Sequence, residues 1–368
     1  MKAVVLALAA MAAASALAAR SPEFGADAFS EAVAAGKGTA VFSPLAFELD
    51  AVIMADAFDP LVKAHFAETL GVLTGLEGTY VPMVRYFAET AATNRLQFVS
   101  ARAFLVPDYR KVSAAYRQEL ERNYQAEVCR VFPKTGAECW FKARMDGLME
   151  DFEIPMQTAK AERNSFYDLV DLRLSWAEPF ALEDTRKVGK RELMCDIREV
   201  DLYAGNGFEM ARLPMADGAW IYFLKPDRGR DLAAVRTAMG SKHIGHLLSV
   251  MGSVTEPGVY HGPAVVGIPR LDIRSSTDIA GAMAHFKFPA KGYLRLNGDL
   301  TAQDFRQICR FRLDEQGLDM APCKVKPDEK ILHANADTRK FVLTGPFGFF
   351  VYHERTNSIL VMGEFAGN

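Results

Sequence analysis

The strongest constraint on the fold lies near the carboxyl end, where a long polar stretch separates apolar segments. Residues 347–352 and 359–362 are apolar runs that flank a polar turn at residues 353–358. Because these runs are apolar on both faces, we predict a β-hairpin with two buried strands. The preceding residues 314–339 are rich in charge and show no helical or alternating pattern. They predict a solvated loop between an apolar strand at residues 308–313 and the hairpin, and such long loops are usually functional or disordered.

The order of motifs here resembles the carboxyl-terminal signature of the serpins, a superfamily of protease inhibitors. A hinge motif, DEQG, precedes the long loop, and GPFGFFVYHERTNSILVMGEF follows it. Upstream, the resemblance continues through SPLAFELDAVIMADAF, SARAFLV, NYQAEVCRVF and LVDLRLSWAEPFALEDTR, and through residues 210–227 and 268–279. It covers residues 24–365, which is essentially the whole chain after a leader.

The resemblance implies an α+β fold with a large central mixed β-sheet, two further sheets, about eight or nine helices and an exposed reactive-centre loop near residues 315–345. The 368 residues contain no Pro/Gly/Ser-rich linker, repeat or low-complexity tract, so we expect a single domain over residues 20–368. Residues 1–19 have a positive start at Lys2, an apolar run, and an A-x-A cleavage pattern at Ala16 and Ala18. They predict a secretory signal and no membrane span.

The expected location is therefore outside the cell, or the periplasm in a bacterium. A net charge of −3 gives no reason to expect a nucleic-acid partner. The five cysteines are an odd number, so at least one is free in an exported chain. Cys129 and Cys139 are close enough in sequence to form a disulfide, but their spacing does not establish one.

No motif of enzyme chemistry accompanies these features. The chain has no G-x-S-x-G, H-E-x-x-H, Walker or G-x-G-x-x-G pattern. His243 and His246 lie three residues apart in a predicted helix, where we expect a surface face rather than a metal site. The sequence predicts no catalytic residue, no cofactor and no metal.

The resemblance implies a trap instead. A serpin is cleaved in its loop as a substrate, and the amino-terminal part of the loop then enters the central sheet as a new strand. The partner would be a serine, or alternatively a cysteine, endopeptidase, and the inhibitor would be a monomer. Two groups of residues follow from the family pattern. The hinge comprises Glu315, Gly317, Leu318, Met320 and Ala321, and the sheet-opening region comprises Ser43, Asp171, Trp176 and Gln307.

Several loop residues depart from the family pattern. Strand alternation would place Leu318, Met320, Pro322, Lys324 and Lys326 on one face of the entering strand. Pro322 removes a ladder donor, and Lys324 would be buried without an evident partner. We therefore expect insertion as far as Ala321 and a handicap beyond it. The alternative function is a non-inhibitory binding or structural protein with the serpin fold.

The position of the scissile bond is open between two alternatives. Family spacing from Glu315 predicts cleavage between Ile331 and Leu332, whereas spacing from Pro346 predicts cleavage between Asn335 and Ala336. We favour the first bond, because the length of the inserted strand is set from the hinge. Its apolar side chains favour an elastase- or subtilisin-like target. Cleavage at Lys330 or Arg339 would indicate a trypsin-like one.

Overall fold

The computed structural model of the chain describes residues 22–33, 38–72, 75–91, 96–131, 138–145, 164–189, 191–253, 256–296, 300–318 and 338–367. Within these ranges lie nine α-helices: α1 (Pro22–Val33), α2 (Pro44–Ala55), α3 (Pro60–Thr69), α4 (Leu76–Ala91), α5 (Ala114–Tyr124), α6 (Glu138–Met145), α7 (Leu232–Met239), α8 (Ser241–Gly252) and α9 (Ala280–His285). Three short 3-10 turns lie at Tyr109–Lys111, Leu182–Asp184 and Ala216–Gly218.

The same ranges contain fifteen strands: β1 (Ala40–Phe42), β2 (Leu96–Val106), β3 (Ala126–Arg130), β4 (Asn164–Ser175), β5 (Arg186–Val188), β6 (Arg191–Ala204), β7 (Phe208–Pro214), β8 (Ala219–Pro226), β9 (Val259–Pro269), β10 (Leu271–Asp278), β11 (Leu300–Asp314), β12 (Gly317–Leu318), β13 (Arg339–Val342), β14 (Phe347–His353) and β15 (Ser358–Phe365). The predicted carboxyl-terminal hairpin is confirmed as β14 and β15, and both strands are almost entirely buried.

The strands form an α+β architecture with a mixed central sheet. Its six strands follow the order β10-β11-β12-β4-β2-β3, and β11 runs parallel to β4. A second network follows the order β1-β15-β14-β8-β7-β6-β9-β13, with β5 beside β6. The sequence predicted two further sheets, whereas the described strands outside the central sheet form this one nine-stranded network. Within it, residues 201–204 of β6 pair with residues 209–212 of β7.

The first long helix shows how the sequence positions the core. Ser43 caps α2 by accepting a hydrogen bond from the Ala46 N–H at 3.1 Å, and Pro44 occupies the first turn. Every residue of α2 is buried, because the helix contacts both β15 of the larger network and β4 of the central sheet. The helix therefore forms the inner support of the central sheet.

The outer face of the central sheet is also covered. Trp140 and Phe141 of α6 pack with Tyr167, Leu169 and Ile308. A sheet covered on both faces buries side chains in both directions, which agrees with the almost continuous burial along β4. A charged side chain inside this sheet is therefore unusual.

Candidate functional site

The short strand β12 is wedged into the upper end of the central sheet. Leu318 pairs with Leu313 on β11 and with Leu174 on β4, and β12 runs antiparallel to both strands. Lower down, residues 305–310 of β11 pair directly with residues 166–171 of β4 in parallel. The sheet is thus closed below and parted above by the first residues after the DEQG turn.

This wedge corrects the prediction that the loop is solvated from Asp314 onward. Glu315 is 5% exposed and Leu318 is 0% exposed. The chain reverses in a tight turn, where the Gln316 N–H donates to Asp314 Oδ1 at 2.8 Å. The residues predicted as the start of an exposed loop are therefore part of the folded sheet.

Gly317 makes the wedge sterically feasible. Its φ of +136° lies in a region that side-chain-bearing residues rarely adopt. A Cβ at this position would lie 2.1 Å from the Leu174 carbonyl oxygen and 2.7 Å from the Ser175 Cα. The close approach of two backbones therefore requires glycine.

An ion-pair cluster holds the turn in place. The Arg270 Nε donates to both carboxylate oxygens of Glu315, at 2.9 and 3.1 Å, and its Nη2 lies 2.7 Å from Oε1. The Thr185 hydroxyl donates to the same oxygen at 2.5 Å, and Arg270 Nη1 donates to Glu192 at 2.5 Å. Burial alone would raise the pKa of Glu315, but the hydrogen bonds from Arg270 and Thr185 outweigh burial and hold that pKa below its ordinary value.

Trp176 fixes the turn from the other side. Its indole Nε1 donates to the Asp314 carbonyl oxygen at 2.8 Å, and its backbone N–H donates to the Gln316 carbonyl oxygen at 3.0 Å. The Phe180 N–H donates to the Glu315 carbonyl oxygen at 2.9 Å, and the two aromatic rings pack edge to face at 5.2 Å. Both ends of the predicted Trp176–Phe180 motif therefore contact the hinge.

Deeper in the molecule, Ser43 and Gln307 form a separate buried contact. The Gln307 Oε1 accepts from the Ser43 N–H at 2.6 Å, and its Nε2 donates to the Ser43 carbonyl oxygen at 3.1 Å. The Ser43 hydroxyl donates to the Leu360 carbonyl oxygen at 2.6 Å. This contact ties the start of α2 to β11 and to β15.

The predicted residues thus fall into two groups. Glu315, Gly317, Leu318 and Trp176 meet at the top of the sheet, whereas Ser43 and Gln307 meet beneath it. Asp171 lies on β4 between the groups, in register with Arg310, and accepts a hydrogen bond from the Arg173 Nε at 3.0 Å. The remaining predicted site residues lie outside the described ranges, and they are Met320, Ala321, Ile331, Leu332, Asn335 and Ala336.

Sequence reasoning missed the partners of the hinge. Arg270 lies at the junction of β9 and β10, and Glu192 lies in β6, far from the hinge along the chain. The only available signal was that Glu315 is a charged residue in a motif flanked by apolar strands. That signal predicts a partner but does not identify it.

A second missed cluster lies on the inner face of the central sheet. Arg102 of β2 has its Nε 3.3 Å from Asp50 of α2 and 3.7 Å from Asp168 of β4, and the Ser100 hydroxyl donates to Asp168. Burial, together with the negative charge of Asp168, raises the pKa of Asp50 well above its ordinary value. Burial therefore disfavours the charged form of the Asp50 carboxyl group.

Among the described residues, three acids also converge elsewhere. One carboxylate oxygen from each of Asp56, Glu77 and Glu119 lies within 4.8 Å of the other two. Lys63 pairs with Asp56 and with Glu77, and Arg295 pairs with Glu119. Two side-chain cations of the chain thus already pair with the three acids of this cluster.

The Cys129 thiol is free, so Cys129 and Cys139 are not joined by a disulfide in this structure.

The comparisons with known proteins agree with this geometry. The family model described as "Serpin (serine protease inhibitor)" matches residues 171–367, more than half of the chain. The chain belongs to the serpin family. Members of this family are generally non-catalytic protease inhibitors. A search of curated proteins finds no match. No helix in the described part of the chain is long and apolar enough to cross a membrane.

Solved structures share the whole fold at low identity. Native protease nexin-1 with heparin gives a TM-score of 0.77 at 16% identity, covering 96% of this chain and 99% of that one. Human thyroxine-binding globulin with thyroxine gives 0.74 at 15% identity, covering 95% and 97%. Serpin48 of the insect Tenebrio molitor gives 0.74 at 13% identity, covering 96% and 97%. These likenesses establish the fold.

Proposed function

We propose that the chain is a secreted, single-domain protease inhibitor that acts by loop cleavage and strand insertion. Residues 1–19 act as its export signal, and the bond between Ile331 and Leu332 is the bait, with Asn335–Ala336 as the alternative. The observation that carries the proposal is the position of β12, which already separates β11 from β4 at the top of the sheet. The target is an extracellular serine endopeptidase with elastase- or subtilisin-like preference.

The strand directions supply a driving force. β12 is antiparallel to both neighbours, whereas β11 and β4 are parallel to each other below it. A strand that continued from β12 would replace one parallel ladder by two antiparallel ladders. Antiparallel pairing is slightly more stable per residue, and each added hydrogen bond contributes about 0.5–1.5 kcal/mol net. Insertion would therefore lower the free energy of the cleaved chain.

A second candidate function is supported by the direction of one side chain. Leu318 belongs to the main core, so its face of the strand is the inner one. Alternation would then turn Pro322 and Lys324 inward as well. Proline removes a ladder hydrogen bond, and a lysine at an apolar position opposes burial. This observation favours a non-inhibitory serpin-fold protein whose loop is cleaved without insertion.

Incubation with elastase, subtilisin and trypsin separates the two functions. A trap gives an SDS-stable complex on a denaturing gel, and its nicked form unfolds at a higher temperature than the intact form. If the loop is cleaved but no SDS-stable complex forms and the unfolding temperature does not rise, the inhibitor proposal is wrong. That result would favour the second function.

A variant sharpens this test. Leu318→Arg places a charge at a core position of β12 and should convert the inhibitor into a plain substrate. Leu182→Arg is the matched control, because Leu182 is 66% exposed. The control should form the complex as the unmodified protein does.

A further inference from the structure

A groove on the larger network, here called the α8 groove, lies apart from the hinge. It is bounded by the turn between β6 and β7, by α7 and the turn that precedes it, and by α8. None of its lining residues belongs to the central sheet. Its volume is about 470 Å³. Small-molecule sites typically enclose about 300–1,000 Å³ and combine apolar walls with a few polar groups. The α8 groove therefore has the size of a ligand site.

The walls of the α8 groove are apolar and aromatic. The Gly205 N–H donates to the Phe208 carbonyl oxygen at 2.9 Å and closes the turn between β6 and β7. A Cβ at Gly205 would lie 2.2 Å from the Phe208 ring, so only glycine lets this ring fold back over the turn. The Tyr203 ring lies 6.4 Å from the Phe208 ring. Helix α7 lines the groove with three small side chains, Ala234, Thr237 and Ala238. These walls leave room for a flat ring.

The rim of the α8 groove carries three basic side chains, Arg230, His243 and His246, and all three are exposed. None of these side chains forms a hydrogen bond or ion pair with another described residue. The neighbouring Asp231 caps α7, where its Oδ1 accepts from the Ala233 N–H at 2.9 Å. The lining contains no Asp, Glu or Cys, and two imidazoles alone do not complete a metal site. The rim therefore favours an anion over a cation.

A larger groove beside the hinge shows the opposite arrangement. Its volume is about 760 Å³, and both Arg191 and Arg270 line it. The Arg191 Nη1 donates to the Thr344 carbonyl oxygen at 2.9 Å. Arg270 binds the carboxylates of Glu315 and Glu192. The guanidinium groups of the larger groove thus have protein partners, whereas the basic groups of the α8 groove are left to bind a ligand.

We propose that the α8 groove binds a small flat organic anion. The ring packs against Tyr203 and Phe208, and the oxyanion group accepts hydrogen bonds from Arg230, His243 and His246. Charged donors make stronger hydrogen bonds than neutral ones, and a guanidinium group binds a carboxylate or a phosphate in two parallel bonds. Stacking on the aromatic wall adds to the burial of the ring. The site contains no residue of the hinge, so the proposal is independent of protease inhibition.

The test titrates the full-length protein with the fluorescent anion anilinonaphthalene sulfonate and with its neutral analogue phenylnaphthylamine. The protein should bind the anionic dye more tightly, and added salt should weaken only that dye. Arg230→Gln and His246→Gln should each weaken the anionic dye about three- to tenfold, because each removes a hydrogen bond to the oxyanion group. Neither should change the affinity for the neutral dye. Arg228→Gln and Lys242→Gln are the matched controls, since both residues are exposed nearby but do not line the groove.

Two further measurements locate the site and define the ligand. Thr237→Trp places a bulky side chain in the groove from an exposed position and should abolish the binding of both dyes. Naphthoate and naphthyl phosphate should displace the anionic dye, whereas inorganic phosphate should not, because it lacks the ring. Equal affinities of Arg230→Gln and Arg228→Gln for the anionic dye would overturn the proposal. Binding that survives Thr237→Trp, or displacement by inorganic phosphate, would also overturn it, whatever the result of the protease incubation.

Discussion

The two sheets differ in whether their strand pairing is complete at the centre. In the larger network, β14 lies between β8 and β15, and Phe350 stacks on Tyr222 with ring centroids 4.5 Å apart. In the central sheet, β11 and β4 are paired below and separated above by the two residues of β12. In the larger network the central strands are thus paired along both edges. In the central sheet, the junction between the parallel strands β11 and β4, here called the seam, is paired only in its lower part. The difference identifies the junction between β11 and β4 as the place where a further strand would enter under the proposed function.

The largest expected loss of stability comes from a substitution in the core of the larger network. Phe350→Ala removes a fully buried ring and should lower the free energy of unfolding by about 3–5 kcal/mol. Urea unfolding of the intact and nicked proteins measures the loss. Since β14 lies outside the seam, both forms should lose the same amount. If only one of the two forms lost stability, the larger network and the β11–β4 seam would not be energetically independent.

A smaller effect is expected from removing the wedge. Gly317→Ala forces a Cβ against the Leu174 carbonyl oxygen and should displace β12, which destabilises the intact protein by about 1–3 kcal/mol. Loss of the indole hydrogen bond to Asp314 should alter the fluorescence of Trp176 and speed amide exchange at its backbone N–H. Gly345→Ala is the control, since a Cβ there meets nothing within 4 Å. Identical exchange in both variants would contradict the steric argument.

The smallest effect concerns the charged contact that holds the hinge. Glu315→Gln should lower stability by about 1 kcal/mol at neutral pH, because Arg270 is partly exposed and solvent weakens the pair. Glu192→Gln is the control, since Glu192 contacts the same guanidinium but is 54% exposed. Its effect should be smaller than that of Glu315→Gln.

This last contact also predicts a pH dependence. The pKa of Glu315 is lower in the folded protein than its ordinary value, so its contribution is present above the ordinary pKa. The contribution disappears as the pH falls through the lowered value. Unfolding measured in acid should therefore show a steeper loss for the unmodified protein than for Glu315→Gln. Parallel profiles would exclude Glu315 as a source of the acid sensitivity.

Much of the frame was predictable because its signals are local. Ser43 and Pro44 mark the start of α2, and the continuous apolar runs near the carboxyl end predict the buried hairpin. The spacing of Leu61, Val62, Phe66 and Leu70 predicts a helix over residues 61–73, and the structure has one at Pro60–Thr69. Helix α4 was not predicted, and it contains Pro82 in its interior. A proline inside a helix opposes the local signal, so packing must stabilise that helix.

The candidate site was predictable only in part. The DEQG motif and Trp176 identified the hinge, but the prediction that the chain is solvated from Asp314 onward is wrong for Glu315 and Leu318, which are buried. The charged partners were not predictable, because Arg270 and Glu315 come together through strands that are distant along the chain. The same applies to Asp50, Arg102 and Asp168, which lie on one helix and two strands.

The sequence by itself determined the family, the hairpin, the capped helix and the glycine of the hinge, since each depends on residues close together in the chain. Only the tertiary structure decided that the hinge is wedged between two parallel strands, that Arg270 holds it, and that two buried acids, Asp50 and Asp168, meet beside Arg102. Those features depend on strand register, which hydrogen bonding between distant segments sets and local side-chain patterns do not encode.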